Sequence, residues 1–184
     1  AFFAAGTVAK LLYEGYTGYL IRTSNDDAAG GGGSMGERVY NNEKDNEAIA
    51  KALGLKKTYS LNYNNHRMDQ YNIQDLKCRL IFLFRLLKID TLICYDPWGH
   101  YEENPDHYIT AKAVEASLWM AGMGTDDPEQ LEVGQPHTLK GMYYFARGPQ
   151  LVNRIVDIGK FIDKKLEGNM ACRNPGLAKS AGGQ

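Results

Sequence analysis

Short apolar runs alternate with longer segments of helical spacing along most of the chain, and this alternation constrains the fold more than any other feature. The clearest run is IDTLICYD, Ile89–Asp96, whose β-branched residues followed by proline predict a buried strand. Weaker strand patterns lie at Tyr16–Thr23, Thr58–Leu61 and Gly141–Ala146. The alternation predicts an α/β fold: a Rossmann-like, mostly parallel sheet with helices on both faces.

Helical spacing separates these strands. The predicted helices are Phe2–Glu14, Asn42–Leu53, Gln74–Lys88, Tyr108–Met120 and Gly159–Leu166. The run LVNRIVDI, at residues 151–158, is a further strand candidate. A chain of this class normally begins with a strand, whereas this sequence opens on a helical pattern, so we expect the first strand to be missing. One domain is predicted over residues 1–168, followed by a flexible polar tail at 169–184.

Composition and charge exclude several classes of protein. The chain is 43% hydrophobic with a net charge of -1, which is typical of a soluble globular domain and predicts no nucleic-acid partner. Its longest apolar run, Leu80–Leu87, is interrupted by Arg85 and falls short of the roughly 20 residues of a membrane span. The sequence shows no signal peptide, and a cytoplasmic location is predicted. Three scattered cysteines, Cys78, Cys94 and Cys172, argue against a disulfide framework.

Polar loops follow three of the predicted strands, where open α/β sheets bind their ligands. One of these loops ends in Asp106 and His107, just where a helical pattern begins. A neutral imidazole there could bind Zn²⁺ while nearby carboxylates supply further ligands or hydrogen bonds. Alternatively, Asp106 caps the helix and His107 is a surface residue of its first turn. The local sequence leaves both interpretations open.

Five segments, taken in order, resemble the PIG-L/LmbE-like family of zinc-dependent N-deacetylases: GTVAKLLYEGY, LIRTSNDD, AIAKALGL, DTLICYDP and NPDHYITAKAVEAS. The resemblance covers about residues 2–120. Its most specific element, Pro105-Asp106-His107, is similar to the family's His-Pro-Asp-His motif, whose last His is a zinc ligand. The resemblance therefore implies that His107 binds zinc and that Asp106 is the carboxylate that tunes a neighbouring imidazole.

The sequence departs from the family pattern at two places. The family's opening His-Pro-Asp-Asp motif, which supplies two zinc ligands and the general base, does not occur, and Ala1 falls about where it would end. We therefore expect an N-terminally truncated family member, inactive as a fragment although its parent is a deacetylase. Asn104 replaces the first His of His-Pro-Asp-His, which in the family stabilises the oxyanion. Asn104 can donate a hydrogen bond but carries no charge, and His100 or Tyr101 could substitute.

The resemblance implies a zinc-dependent hydrolase that removes the N-acetyl group from an N-acetylglucosamine-type sugar or its conjugate, cleaving a linear amide C–N bond. Asp26, Asp27 and Arg38 could then bond sugar hydroxyls, or belong to a disordered surface loop. Arg67 could contact the substrate or only a carboxylate, and Trp98 could stack on a sugar ring or fill the core. The alternative function is a non-catalytic carbohydrate-binding domain or pseudoenzyme of the same fold, which the loss of a motif histidine favours. The oligomeric state is not predicted.

Overall fold

A computed structural model describes residues 3–30, 33–99, 102–148 and 151–173 of the chain. The α-helices within these residues are α1 (Ala5–Tyr13), α2 (Met35–Leu53), α3 (Ile73–Leu87), α4 (Pro105–Ala121) and α5 (Ile162–Met170). The strands are β1 (Tyr19–Ser24), β2 (Lys57–Tyr63), β3 (Thr91–Tyr95) and β4 (Gly141–Phe145). Short 3-10 helices lie at Met68–Gln70, Pro128–Glu132 and Gly159–Phe161.

The chain divides into two compact units, and the first comprises Ala1–Asn65 and Val152–Gln184. Its strands β1 and β2 pair in parallel, α2 packs on β2, and α5 packs on α1 and α2. Helix α2 is capped by Ser34, whose side chain accepts from the Glu37 N–H while the Glu37 carboxylate accepts from the Ser34 N–H. This capping box satisfies two N–H groups that the first turn would otherwise leave unbonded.

The second unit comprises His66–Leu151 and is built around two helices and two strands. Strands β3 and β4 pair in parallel, from Thr91 opposite Gly141 to Tyr95 opposite Phe145. Helix α4 packs on α3 and on β3, and its small inward residues, such as Ala111 and Ala113, are fully buried. Because α4 begins beside the carboxyl end of β3, its first turn lies where α/β proteins bind ligands.

The α/β class with parallel strands flanked by helices is confirmed. A helix or strand occurs at each position predicted above except residues 151–158, where the predicted strand is wrong. This segment pairs with no strand in the described part of the chain, and Ile155 is 90% exposed. All three cysteines are thiols, as expected. The missing first strand, the single domain at 1–168 and the flexible tail at 169–184 stay predictions.

None of the helices that the structure describes is both long and apolar enough to cross a lipid bilayer.

Candidate functional site

The first turn of α4 carries the two residues singled out by the sequence, and Asn104 fixes where it starts. The Asn104 Oδ1 accepts a hydrogen bond from the Asp106 N–H at 2.9 Å, and Pro105 follows as the first helical residue. Both are typical of helix starts, because the asparagine satisfies an unbonded N–H and proline has none. Asn104 is thus the cap of α4, and the alternative that Asp106 caps this helix is wrong.

His107 is held on one face and on one edge. Its imidazole stacks on the Tyr95 ring, with centroids 4.0 Å apart and planes inclined by 14°. Tyr95 in turn packs against Phe145 at 4.5 Å. At the edge, the imidazole Nδ1 lies 3.0 Å from the Glu102 Oε1. The side chain of His107 is only 27% exposed, so these contacts fix its orientation.

Glu102 is the centre of a small polar network. Its side chain is 7% exposed, yet Arg147 donates from Nε to Oε2 at 3.0 Å and from Nη2 to Oε1 at 3.2 Å. The Asn104 N–H donates to the same Oε1 at 3.2 Å. This bidentate geometry is the strong form of an arginine–carboxylate pair. Glu102 therefore presents a well-anchored acceptor to His107.

These contacts favour one protonation state of the imidazole. Burial lowers the pKa of His107 below its usual value, although the neighbouring Glu102 opposes the shift. The neutral ring has one N–H, and because an ionised carboxylate only accepts, that proton lies on Nδ1. The Nε2 lone pair then accepts a long hydrogen bond from the Asn104 Nδ2 at 3.5 Å. Burial also raises the pKa of Tyr95 to about 12, so the stacked phenol is neutral at physiological pH.

Asp106 connects α4 to the segment after β2. Its Oδ2 accepts from the backbone N–H of His66 at 2.7 Å, and its Oδ1 lies 3.4 Å from the N–H of Met68. Asp106 is 5% exposed, and His66 has a left-handed backbone with φ of 59°. The carboxylate thus fixes an unusual backbone turn beside the first turn of α4. Its predicted role in tuning an imidazole stays a prediction.

The donor atoms of the described residues determine whether the chain could hold a metal ion. His107 fits as one zinc ligand, because a carboxylate holds its Nδ1 and the long 3.5 Å contact of its Nε2 with the Asn104 amide is one that a metal could replace. The Glu102 carboxylate is the group that bonds Nδ1, so it acts as a hydrogen-bond partner of the imidazole and not as a metal ligand. Among the described residues no three His, Cys, Asp or Glu side chains converge to hold a metal. Within the described part of the chain, His107 therefore stands without the two further ligands that a zinc site of this kind would need.

Asp26 belongs to an ion-pair network at the end of β1 in the first unit. Its Oδ2 accepts from Arg22 at 3.2 Å and its Oδ1 from the Ser24 hydroxyl at 3.2 Å. The buried Arg22 also pairs with Glu43, which accepts from the Ser60 hydroxyl at 2.8 Å. The Asp26 backbone is left-handed, with φ of 55°, and its carbonyl accepts from the Asn42 side chain at 2.9 Å.

Asp27 and Arg38 hold together the loop that follows β1. Asp27 is 6% exposed, and its carboxylate accepts from the Asn65 N–H at 2.7 Å and from the Asn64 side chain at 2.6 Å. Arg38 donates to the carbonyls of Asp27 at 2.8 Å and Gly33 at 3.1 Å. These bonds give the loop a defined fold. Sugar contacts by Asp26, Asp27 and Arg38 stay predictions.

The remaining predicted residues differ in their surroundings. Arg67 is exposed and directly precedes the 3-10 helix Met68–Gln70. Trp98 is 64% exposed and meets Tyr144 edge to face, so the alternative that it fills the core is wrong. His100 lies outside the described residues.

Sequence reasoning missed Glu102, Arg147 and Tyr95. Glu102 belongs to an acidic pair directly before Asn104, and Arg147 is the arginine of YYFARGP, so both had a local signal. Neither signal says that the two side chains meet, because 45 residues separate them. The stacking of Tyr95 on His107 depends on where α4 starts relative to β3, which composition does not specify.

A family model and a curated relative both match this chain. Residues 1–118 match the family model of the GlcNAc-PI de-N-acetylases (PIG-L). The diacetylchitobiose deacetylase of Thermococcus kodakarensis is 24% identical over 165 residues, covering 88% of this chain and 60% of that protein. The chain therefore spans about three fifths of the length of this curated relative.

Solved structures show the same fold. The N,N'-diacetylchitobiose deacetylase of Pyrococcus horikoshii, in complex with an inhibitor, superposes with a TM-score of 0.81 at 24% identity, covering 92% of this chain and 63% of that one. A conserved protein of Thermus thermophilus gives 0.75 at 20% identity, covering 93% and 72%. A 4-carboxy-2-hydroxymuconate hydratase of Pseudomonas putida gives 0.76 at 16% identity, covering 94% and 73%. Proteins of different activity thus share the fold, and the side chains must decide the chemistry.

Proposed function

Because the chain belongs to the GlcNAc-PI de-N-acetylase (PIG-L) family, we propose that the protein is a zinc-dependent N-deacetylase acting on an N-acetylglucosamine-type sugar. The reaction is hydrolysis of the linear amide C–N bond, which gives acetate and a free amine. The names of the relatives from Thermococcus and Pyrococcus support a substrate of this class. A cytoplasmic location stays a prediction.

One observation carries the proposal: a buried carboxylate bonds one nitrogen of the His107 imidazole, which is the arrangement common behind metal-ligating histidines. The Nδ1 proton of His107 is held by the buried Glu102, the ring is fixed against Tyr95, and Nε2 faces the Asn104 amide. A carboxylate that bonds the far nitrogen of a ligating histidine increases the basicity of the ligand and fixes its tautomer. We therefore infer that His107 would hold zinc through Nε2.

Amide hydrolysis needs a nucleophile, stabilisation of the tetrahedral oxyanion and a proton for the leaving amine. A bound zinc ion would supply Lewis acidity and an activated water. In this chain Arg147 holds Glu102 in place, Glu102 holds the Nδ1 proton of His107, and Asp106 fixes the turn at His66. These residues hold the His107 imidazole in one orientation before the substrate binds, so no reorganisation of that side chain is needed during the reaction.

Asn104 is placed to contribute directly to the oxyanion. Its Oδ1 is bonded to the Asp106 N–H, and this bond turns its Nδ2 group toward the His107 Nε2. The amide can donate a hydrogen bond to a carbonyl oxygen that develops negative charge there. Because an amide carries no charge, this stabilisation is weaker than that from an imidazolium. We therefore infer that Asn104 donates a hydrogen bond to the oxyanion, and that other groups must stabilise more of its negative charge than they would beside a histidine.

The test measures acetate and free amine released from N-acetylglucosamine and N,N'-diacetylchitobiose by the whole natural protein. We expect equal amounts of both products, abolition by a zinc chelator, and recovery when zinc is restored. His107→Ala should lower kcat/KM by more than the roughly 100-fold seen when a residue behind a metal ligand is lost. Unchanged turnover in His107→Ala would contradict the proposal.

A second candidate is a non-catalytic carbohydrate-binding domain. It is favoured by Asn104, which here serves as the cap of α4, a structural task that needs no catalysis. The same experiment separates the two functions, because this candidate predicts that the sugars bind and release no acetate.

A further inference from the structure

We propose that the outer face of α4 is the contact surface of a symmetric dimer, in which a second copy of this chain packs antiparallel against the same face. Four residues, Tyr108, Lys112, Glu115 and Trp119, form this face and together are the α4 stripe. The proposal is independent of the deacetylase activity, because none of the four side chains takes part in the mechanism described above.

Helix α4 carries its largest side chains on its outer side. Its buried apolar and hydroxyl residues are all small: Ala111, Ala113, Val114, Ser117 and Ala121. Trp119, in contrast, is 69% exposed, and Tyr108 is only half-buried. A helix at the surface of a protein normally turns its large apolar residues toward the core. The reversed distribution indicates that a second surface packs on the outer face of α4, with Trp119 as its anchor.

The spacing of the α4 stripe indicates that this second surface is another copy of the same helix. Successive members of the stripe are four, three and four residues apart, so they share one face of the helix. This spacing is the same in both directions. A second copy that runs antiparallel therefore sets Tyr108 against Trp119 of the second copy and Lys112 against Glu115 of the second copy. Each contact occurs twice, which is the self-complementarity that a two-fold interface requires.

The charges of the α4 stripe favour the antiparallel arrangement. Neither Lys112 nor Glu115 forms an ion pair with any residue that the structure describes. Antiparallel packing joins each lysine to a glutamate, whereas parallel packing would set lysine against lysine and glutamate against glutamate. The Lys112 ammonium also lies 5.6 Å from the centre of the Tyr108 ring. Trp119 of the second copy would add a second aromatic ring beside this cation.

The test is the oligomeric state of the whole natural protein, measured by sedimentation velocity. Lys112→Glu and Glu115→Lys each set like charges across the interface, so each variant alone should be a monomer. An equimolar mixture of the two variants restores both ion pairs between unlike chains and should form a heterodimer. The double variant Lys112→Glu/Glu115→Lys should form a dimer by itself. A role of these residues within one chain would not produce this recovery.

Two tryptophan variants provide a matched comparison that does not alter charge. Trp119→Ala should raise the Kd of the dimer at least about 100-fold, because each of the two copies loses a large apolar contact. Trp98 lies outside α4 and is 64% exposed, so Trp98→Ala should leave the dimer unchanged. Circular dichroism identifies any variant that fails to fold. If a charge variant is lost in this way, the tryptophan pair still decides.

Recovery of the dimer in the mixture, together with its loss in Trp119→Ala, supports the proposal. A natural protein that stays monomeric at about 100 µM overturns it, because a second copy then does not cover the α4 stripe. A dimer that resists Trp119→Ala and both charge variants has its interface elsewhere, and this result overturns the proposal as well. Acetate release plays no part in these measurements, so their failure leaves the proposed function standing.

Discussion

Replacing the buried Arg85 by Met should destabilise the unit that carries His107. Arg85 is 1% exposed, and its guanidinium donates to five backbone carbonyl groups at the end of α4 and in the following turn. These are the carbonyls of Met120, Ala121, Met123, Asp126 and Asp127. The side chain therefore ties α3 to the carboxyl end of α4, where a cation is also favoured by the helix dipole.

The size of the effect follows from these bonds. A hydrogen bond to a charged group stabilises by about 1.5–3 kcal/mol, but the cost of burying the guanidinium offsets much of the sum of five. Met has a similar length, so little cavity forms and the main loss is the bonding of buried carbonyls. We expect the free energy of unfolding to fall by about 3–5 kcal/mol, because each buried carbonyl left without a donor costs about 1–3 kcal/mol and some of the five regain water. Total stabilities are about 5–15 kcal/mol, so this loss is a large fraction.

The assay is urea unfolding followed by circular dichroism, with Arg79→Met as the control. Arg79 lies on the same helix, is 49% exposed in its side chain and pairs with Asp75 at 3.2 Å. An exposed pair of this kind contributes less than about 1 kcal/mol, so the control should unfold almost as the unaltered chain does. If Arg85→Met were no less stable than Arg79→Met, the assignment of Arg85 as the link between α3 and α4 would be refuted.

Three further predictions follow from the same structure. Glu102→Ala removes the acceptor for the Nδ1 proton, so the ¹⁵N NMR shifts of His107 should move toward the Nε2-protonated tautomer; unchanged shifts would contradict the assignment of that proton. Asn104→Ala should lower the free energy of unfolding by about 1 kcal/mol in urea, whereas Asn104→Ser, which can still cap α4, should lose less. Burial raises the pKa of Cys94 to about 12, so its reactive thiolate is scarce below that pH. At pH 8 iodoacetamide should therefore alkylate it at least about 100-fold faster in urea than in the folded chain, and equal rates would be the contrary result.

Much of the fold was predictable because local patterns and packing agree. The run IDTLICYD contains β3, and a helix is found at each predicted helical segment. The spacing of apolar residues predicts these elements because it reflects which face of each element is buried. The start of α2 was predicted seven residues late, at Asn42 instead of Met35. The sequence contains a capping-box signal for this start, Ser34 followed three residues later by Glu37, but the glycine run before Ser34 suggested a longer loop. Residues 151–158 have strand-like composition without a neighbouring strand, and propensity alone does not supply the missing hydrogen bonds.

The candidate site was predictable in part for a related reason. A motif names residues that are close in sequence, so Asn104, Asp106 and His107 could be proposed directly. The structure brings these three together in one helical turn. Arg147 reaches Glu102 only through the pairing of β4 with β3, a contact that depends on topology and not on spacing. The roles of Asp26, Asp27 and Arg38 could not be derived from residue type, because a carboxylate in a loop serves equally to bind a ligand or to fold its own backbone.

The most direct test of the central proposal is the zinc content of the whole natural protein, measured by elemental analysis after dialysis, beside His107→Ala and His137→Ala. His137 is a suitable control, because its Nε2 lies 3.1 Å from the Ile89 carbonyl and has a structural partner of its own. We predict about one zinc per chain in the natural protein and in His137→Ala, and almost none in His107→Ala. Undiminished zinc in a folded His107→Ala protein would contradict the assignment of His107 as a ligand, and with it the proposed zinc-dependent mechanism.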